Sequence, residues 1–145
     1  MNLEWEQNWL KQFDDDLDVL MDNYTDTFEY EDMNLGVRID NDKPKLRQLF
    51  KTFENADPGA SKHYFEATRY HGDARGGTLE WTWEIRHKTD FLGLAAAGKT
   101  THVRGLTVHA FDQNGKITVE RSLWDTAALM RQLGLDAPAE LEFAA

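Results

Sequence analysis

The sequence predicts an α+β fold in which a curved, mixed but mainly antiparallel sheet forms a cone around helices from the N-terminal part of the chain. Three segments within the first 53 residues have apolar residues at helical spacing, and most of residues 61–125 alternate as strands do. Helices segregated from a run of strands are typical of α+β domains. The 145 residues suit one domain. We place it at residues 1–135 and expect residues 136–145 to be a C-terminal tail.

The longest predicted strand pair lies between Lys99 and Asp125, on either side of a turn at Asn114-Gly115. Asn-Gly is a strong hairpin signal because both residues tolerate positive φ. Apolar residues supply both strands: Val103, Leu106, Val108 and Phe111 before the turn, and Ile117, Val119 and Leu123 after it. An isolated two-stranded ribbon is marginal in water. The rest of the chain is therefore expected to supply a surface for this hairpin.

Three helices and one short strand are predicted before the long strands. Helical spacing covers residues 3–12 and 15–24, the aromatic–acidic alternation of Phe28–Asp32 indicates a short strand, and residues 34–41 are predicted to be a loop. A third helix is predicted to begin at an Asp42 N-cap, with Pro44 in its first turn. Its apolar stripe recurs at i, i+3, i+4 and i+7: Leu46, Leu49, Phe50 and Phe53.

Two further strands are predicted over residues 61–72 and 78–90, with a turn at Gly76-Gly77 between them. The second strand separates its side chains into two faces, one of which carries Leu79, Trp81, Trp83, Ile85 and His87. Residues 91–99 are predicted to be a loop. A last helix is predicted to begin at an Asp125 N-cap and to end at Gly134.

The charge pattern argues against a nucleic-acid partner. The net charge is −10, and residues 1–32 hold eleven acidic residues and one basic residue, Lys11. A phosphate backbone would be repelled by this segment. The chain has no cysteine, begins without the pattern of a signal peptide and has no apolar run long enough to cross a membrane. We therefore expect a cytoplasmic protein with neither a nucleic-acid nor a membrane partner.

The segment from His87 to Lys99 resembles the H-x-x-x-F-x-G-x-x-x-x-G-K loop of SnoaL-like polyketide cyclases. Further along, the resemblance continues in Gly105, Asn114-Gly115-Lys116-Ile117, Trp124-Asp125 and Gln132-Leu133-Gly134. Upstream, Asp16-Leu17-Asp18 and Phe28–Asp32 are similar to the opening of ketosteroid isomerases. The resemblance covers residues 14–135 and implies the nuclear-transport-factor-like superfamily. It implies a cone-shaped fold with an internal pocket, in a protein that is usually a homodimer.

The resemblance also implies a catalytic pair. Asp32 falls where ketosteroid isomerases keep their general base, and His87 matches a histidine common in the SnoaL-like branch. Asp32 could equally be a solvated acid, and His87 could be a structural histidine that holds the following loop. Thr107 stands where the isomerases have a protonated acid in the oxyanion hole. Ser122 stands where SnoaL-like cyclases and limonene-epoxide-type hydrolases have an acidic residue.

The expected function is a lyase or isomerase that needs no cofactor and moves a proton by acid–base chemistry in dehydration, double-bond isomerisation or cyclisation. Its substrate would be a small hydrophobic ring compound inside the cone. The expected substrate-binding residues are Trp9, Tyr24, Phe65, Trp81, Trp83, Thr107, His109, Ser122 and Trp124. The alternative is a non-catalytic module for small-molecule binding or dimerisation.

Neither a metal nor a dedicated cofactor is predicted. His63, His71, His87 and His109 could be combined with an acid into a metal site, but nothing in their spacing favours one. Leu106, Val108 and Ala110 share the face of their strand opposite Val103, Thr107 and Phe111. Because one face can line the cone, the other is expected to be covered by a second copy in a homodimer.

Overall fold

A computed structural model describes residues 1–137, so the predicted tail lies outside the described residues except for Asp136 and Ala137. The chain forms four α-helices, which are α1 (Leu3–Asp15), α2 (Leu17–Met21), α3 (Lys43–Phe50) and α4 (Thr126–Gln132). A 3₁₀ turn at Lys51–Phe53 extends α3. The strands are β1 (Tyr24–Asp32), β2 (Val37–Asp40), β3 (Lys62–Asp73), β4 (Gly76–Arg86), β5 (Thr100–Phe111) and β6 (Ile117–Trp124).

The six strands form one mixed sheet in the order β2-β1-β6-β5-β4-β3. Neighbouring strands are antiparallel except β1 and β6, which are parallel. Helices α1 and α3 pack on one face of this sheet: the Phe13 ring of α1 lies 5.7 Å from the Phe65 ring of β3, and the Phe50 ring of α3 lies 5.6 Å from the Tyr30 ring of β1. The predicted α+β fold is confirmed. No helix in the described part of the chain is long and apolar enough to cross a membrane.

The helix ends follow from short polar side chains. Asn2, Asp16, Asp42 and Asp125 cap α1 to α4 in turn, each accepting a hydrogen bond from a free backbone N–H in the first turn. The predicted caps at Asp42 and Asp125 are confirmed.

Several element boundaries differ from the sequence prediction, among them the end of the strand predicted over residues 78–90, which is at Arg86. Val37–Asp40 is an edge strand and not loop, and the sequence hid it because only Ile39 of its four residues is buried. Tyr24 opens β1 and does not end α2, although its spacing from Leu17 and Leu20 suits a helix. Gly76 and Gly77 belong to β4, where an added Cβ would meet backbone oxygen atoms at 2.6 and 2.4 Å, so they allow close strand approach and do not form the turn.

The β5–β6 hairpin determines which of its side chains lie on the inner face of the sheet, the face that packs on α1 and α3. Only Gly115 of the turn has positive φ (74°), while the Asp112 carboxylate accepts the N–H groups of Asn114 and Lys116. The side chains of Thr101, Val103, Thr107, His109 and Phe111 are buried on the inner face of β5, and those of His102, Arg104, Leu106 and Val108 are exposed on the other. The predicted alternation of β5 is therefore observed, and it brings Thr107 and His109 towards the helices.

Candidate functional site

A cavity of about 50 Å³ lies between the helices and the inner face of the sheet. Aromatic side chains dominate its walls, and the polar groups of the lining side chains are two carboxylates, two hydroxyls, one phenol and four indole N–H groups, of which that of Trp9 has no hydrogen-bond partner among the described residues. The lining residues are Trp9, Leu10, Phe13, Tyr30, Asp32, Phe50, Phe53, Phe65, Trp81, Trp83, Thr107, Glu120, Ser122 and Trp124. They come from α1, the α3 region and five of the six strands. Most elements of the fold thus contribute side chains to this cavity.

Asp32 ends β1 and is 3 % exposed. Its Oδ1 atom accepts the backbone N–H groups of Asn34 and Leu35, each at 2.9 Å, which shapes the turn into β2. Its Oδ2 atom accepts the indole N–H of Trp124 at 3.0 Å. The Asp32 carboxylate is therefore a buried, hydrogen-bonded group and not a solvated acid.

A pair of hydroxyl groups lies on the sheet beside Asp32. Thr107 and Ser122 face each other across β5 and β6, with their oxygen atoms 2.9 Å apart. The indole N–H of Trp81 donates to Thr107 Oγ1, also at 2.9 Å. Gly105 allows this arrangement, because a Cβ there would lie 2.4 Å from the Trp81 ring. These contacts hold the Trp81 ring against the cavity.

A second carboxylate, Glu120, lies on β6 two residues before Ser122 and is 2 % exposed. Tyr24 donates its hydroxyl hydrogen to Glu120 Oε2. The same oxygen lies 3.7 Å from Nε2 of His109. On its other side, His109 Nδ1 lies 3.0 Å from both carboxylate oxygens of Glu6 in α1. One imidazole thus lies between two buried carboxylates.

The surroundings of these groups shift their pKa values. Burial alone would lower the pKa of His109, but the hydrogen bonding and negative charge of Glu120 and Glu6 outweigh it and raise this pKa to about 9. Burial, and then the charge of Glu120, raise the pKa of Tyr24 well above 10.0. The pKa of Tyr30 rises for the same reasons, with Asp32 adding to the effect. At neutral pH His109 is a cation and both phenols keep their protons.

The predicted catalytic pair is not brought together around this cavity. Asp32 lines it, whereas His87 follows the end of β4, outside the lining, with its Nε2 atom 2.8 Å from Thr101 Oγ1. Burial lowers the pKa of His87, and its Nδ1 atom has no hydrogen-bond partner among the described residues. The His87 ring lies 5.7 Å from the Phe91 ring of the following loop.

Seven of the nine predicted substrate-binding residues line the cavity: Trp9, Phe65, Trp81, Trp83, Thr107, Ser122 and Trp124. Tyr24 and His109 do not line the cavity; they lie behind it, where both contact Glu120. The sequence reasoning missed Glu120 and Tyr30. Both could have been found, because Glu120 has the strand parity of Ser122 and Trp124, and Tyr30 has that of Asp32.

No cluster of three or more metal-ligating side chains suited to a metal ion occurs among residues 1–137. His63, which was considered as a ligand, accepts the indole N–H of Trp83 at 3.1 Å. Burial, with the nearby His87 and Lys62, lowers the pKa of His63 to about 4.

Comparison with solved structures identifies the fold. A proposed polyketide cyclase from Pseudomonas putida KT2440 is 16 % identical, with a TM-score of 0.73 over 91 % of this chain and 98 % of the other. A protein of ketosteroid isomerase-like fold from Catenulispora acidiphila DSM 44928, in complex with trimethylamine, is 13 % identical, with a TM-score of 0.69 over 88 % and 90 %. An epoxide hydrolase from M. tuberculosis is 18 % identical, with a TM-score of 0.61 over 88 % and 82 %.

Comparison with curated proteins found no match. The profile of the SnoaL-like polyketide cyclase family matches residues 7–133. This range includes all six strands and all fourteen residues that line the cavity. The resemblance noted from the His87–Lys99 segment is therefore confirmed over most of the chain. This protein belongs to the SnoaL-like polyketide cyclase family.

Proposed function

We propose that this protein processes a small hydrophobic compound in the aromatic cavity by cofactor-independent proton transfer, as a lyase or isomerase. The main support for the proposal is that a carboxylate and a protonated phenol, those of Asp32 and Tyr30, line the same small apolar cavity. Such a space strengthens the electrostatic effect of each polar group and excludes bulk water from the reacting atoms. Dehydration, double-bond isomerisation and cyclisation can all begin with a proton transfer of this kind.

Asp32 is our candidate for the base and Tyr30 for the acid. The Asp32 carboxylate would take a proton from a carbon next to a carbonyl group, while the Tyr30 hydroxyl would donate a hydrogen bond to the carbonyl oxygen. Tyr30 and Asp32 are two residues apart on β1 and therefore lie on the same face of the sheet. The Tyr30 hydroxyl lines the cavity and keeps its proton, so it can donate a hydrogen bond to a ligand. The role of acid moves from His87 to Tyr30 in this proposal because Tyr30 lines the cavity.

The size of the cavity limits the substrate. A cavity of about 150 Å³ accommodates benzene, and this one measures about 50 Å³. A ring compound can therefore enter only if aromatic side chains of the wall move. Phe65, which is only half-buried at the edge of the cavity, is the wall residue that can move at least cost.

Hydrogen–deuterium exchange into small ketones in D₂O tests this function without knowledge of the natural substrate. Abstraction of a proton next to the carbonyl group exchanges it for deuterium, which mass spectrometry detects even when no net reaction occurs. We expect the protein to accelerate exchange for some members of a panel of linear and cyclic ketones. Replacement of the base, in Asp32→Asn, should slow that exchange by about 10²–10⁴-fold.

His71→Gln is the matched control, because this histidine is exposed and paired with Glu80 on the outer side of the sheet. It should leave the exchange rate unchanged. Equal rates for the wild type, Asp32→Asn and heat-denatured protein would overturn the proposal.

A binding module without catalysis is the second candidate. It is favoured by the hydrogen bonds of Asp32, since three N–H groups already occupy the carboxylate oxygens that would have to accept the substrate proton. The Catenulispora acidiphila protein, in complex with trimethylamine, supports a binding role for a protein of this fold. Saturable ligand binding in the cavity without ketone exchange would identify this alternative.

We also propose that the protein is a homodimer through the outer face of the sheet. Leu106, Val108 and Leu123 form an exposed apolar patch there, and Leu106 lies directly opposite Leu123 on the neighbouring strand. Contiguous exposed apolar side chains on a sheet are typical of an interaction surface. A second copy would cover the same patch on both partners by two-fold symmetry.

A further inference from the structure

The charges buried around the cavity do not balance. Asp32 and Glu120 line it, and Glu6 lies behind Glu120 with His109 between them. Of these four side chains only His109 is basic, so three acidic groups surround one basic group. No lysine, arginine or histidine occurs among the described residues of the lining. Buried charges are normally paired because an unpaired charge is costly in a low-dielectric interior.

The carboxylates of Asp32 and Glu120 both line the cavity, and each has an oxygen atom that can accept a further hydrogen bond. His109 donates to both oxygens of Glu6, and Tyr24 donates to Oε2 of Glu120. Oε1 of Glu120 accepts no hydrogen bond from any residue that the structure describes, although Glu120 is 2 % exposed. At Asp32, Oδ2 accepts only the indole N–H of Trp124 within the same range of residues. Each carboxylate thus keeps accepting capacity for a ligand.

The walls provide a second attraction for positive charge. Nine of the fourteen lining residues are aromatic. Their rings pack closely, with the Trp83 ring 5.1 Å from Phe65 and 5.5 Å from Trp124. The face of an aromatic ring, and that of tryptophan most of all, attracts a cation within about 6 Å, and the attraction grows when water is excluded.

We propose that the cavity binds a small alkylammonium group, with Glu120 and Asp32 as its counter-ions and the tryptophan rings as its walls. The inference rests on the proposed function in one respect, namely that this cavity is the ligand site. It adds to that function that the ligand carries a positive charge. A cavity of about 50 Å³ is smaller than an ammonium group with several methyl substituents, so such a group, like a ring compound, enters only when Phe65 moves, and the remainder of a larger ligand would extend past Phe65.

Titration with tert-butylammonium chloride tests this inference, and tert-butanol is the neutral molecule of nearly the same shape. The five indole N–H signals in ¹H–¹⁵N spectra report the binding site, because Trp9, Trp81, Trp83 and Trp124 line the cavity and Trp5 does not. We expect saturable shifts of the four cavity signals by the ammonium ion at neutral pH and no shift of the Trp5 signal. The ammonium ion should bind at least tenfold more tightly than tert-butanol.

Glu120→Gln should weaken binding of the ammonium ion at least tenfold and leave binding of tert-butanol unchanged. The matched control is Glu80→Gln, because Glu80 is partly exposed on the outer face and contacts His71. If Glu120→Gln does not fold, Asp32→Asn replaces it with the same expectation. A cooperative unfolding transition shows that each variant is folded before it is titrated.

Two results would overturn the inference. Equal or tighter binding of tert-butanol would show that the site has no preference for charge, while the proposed function would survive because the cavity still binds a ligand. No shift of any cavity indole at millimolar concentration of either compound would also reject it. The proposed function would then be decided by ketone exchange, which reports a different event.

Discussion

Asp32 and Glu120 differ in how far the protein already occupies their oxygen atoms. Backbone N–H groups hold Asp32 Oδ1, and Trp124 holds Oδ2, so Asp32 joins the β1–β2 turn to the wall of the cavity. Glu120 has one oxygen bound by Tyr24 and one without a partner among the described residues. Asp32 is therefore both a structural and a candidate catalytic residue, whereas Glu120 is the more available ligand for a positive group.

Asp32→Asn should lower the free energy of unfolding by about 1–3 kcal/mol, because it replaces charge-assisted hydrogen bonds and directs an amide N–H₂ group at the indole N–H of Trp124. Urea denaturation at neutral pH measures the change. The exposed Asp40→Asn, on the neighbouring edge strand, is the control and should stay within about 0.5 kcal/mol of the wild type. Unchanged or higher stability of Asp32→Asn would show that the cost of burying the charge exceeds the gain from its hydrogen bonds.

His109 should make the stability depend on pH on the alkaline side. Its pKa is about 9 in the folded protein against 6.5 in the unfolded chain, so folding favours the proton. The stabilisation is complete below pH 6.5 and is lost as the pH rises towards 9. The full loss corresponds to about 3 kcal/mol, and urea denaturation across this range measures it.

His109→Gln separates this effect from other titrations. The variant removes the group that titrates between Glu6 and Glu120, so its stability should be lower at pH 6.5 and much less dependent on pH above it. If the free energy of unfolding of His109→Gln falls as steeply between pH 6.5 and 9 as that of the wild type, a group other than His109 causes the pH dependence.

Strand parity made many residues of the site predictable. Alternation along β4 put Trp81 and Trp83 on one face, and the family resemblance supplied Thr107 and Ser122; the structure has all four on the inner face. His87 has the parity of Trp81 and Trp83, but β4 ends at Arg86 and the chain turns away, so parity no longer gives its direction. The hydrogen bonds that Asp32 accepts come from the following turn and from Trp124, which is 92 positions away in the sequence. No local sequence pattern reveals the bond to Trp124.

At the scale of elements, β2 and the start of β1 were missed for a physical reason. A four-residue edge strand with one buried side chain has too little alternation to be recognised, and it forms because β1 offers free backbone groups along its edge. Tyr24 was assigned to a helix because its spacing suits one. Its hydroxyl bond to Glu120, which holds it at the start of β1, is a long-range contact.

Gly105 links the geometry of β5 to the wall of the cavity. Gly105→Ala should destabilise the fold by about 1–3 kcal/mol, because the new methyl group would lie 2.4 Å from the Trp81 ring and force it to move. Thermal or urea unfolding measures the loss, and the Trp81 indole signal should shift because its bond to Thr107 is disturbed. Gly59→Ala, in an exposed turn, is the control. An unshifted Trp81 signal in Gly105→Ala would contradict this role.

At the scale of the whole molecule, the two faces of the sheet serve different purposes. The inner face packs on the helices and forms the cavity, and the outer face leaves Leu106 44 % exposed and Leu123 50 % exposed. Association through the outer face would leave the cavity of each copy intact. The oligomeric state and the ligand site can therefore be tested separately.

Leu106→Arg should convert the proposed homodimer into a monomer, because it places two charges at the symmetric centre of the apolar patch. Light scattering at micromolar concentration measures the mass. Val19→Arg is the matched control, since Val19 is exposed to a similar extent (46 %) on α2, away from the sheet. A wild-type protein that is monomeric under these conditions would reject the dimer, and a Leu106→Arg variant that remains dimeric would reject the surface.

The most direct test of the central claim, that the aromatic cavity is where the ligand reacts, is to locate a ketone that undergoes exchange. Intermolecular nuclear Overhauser effects between the bound ketone and assigned ring protons give this location. Contacts to Trp81 and Trp124, with none to Trp5, are the predicted result, because the first two line the cavity and the third does not. Contacts confined to the outer face of the sheet, or to residues such as Tyr64 and Arg104 there, would contradict the claim.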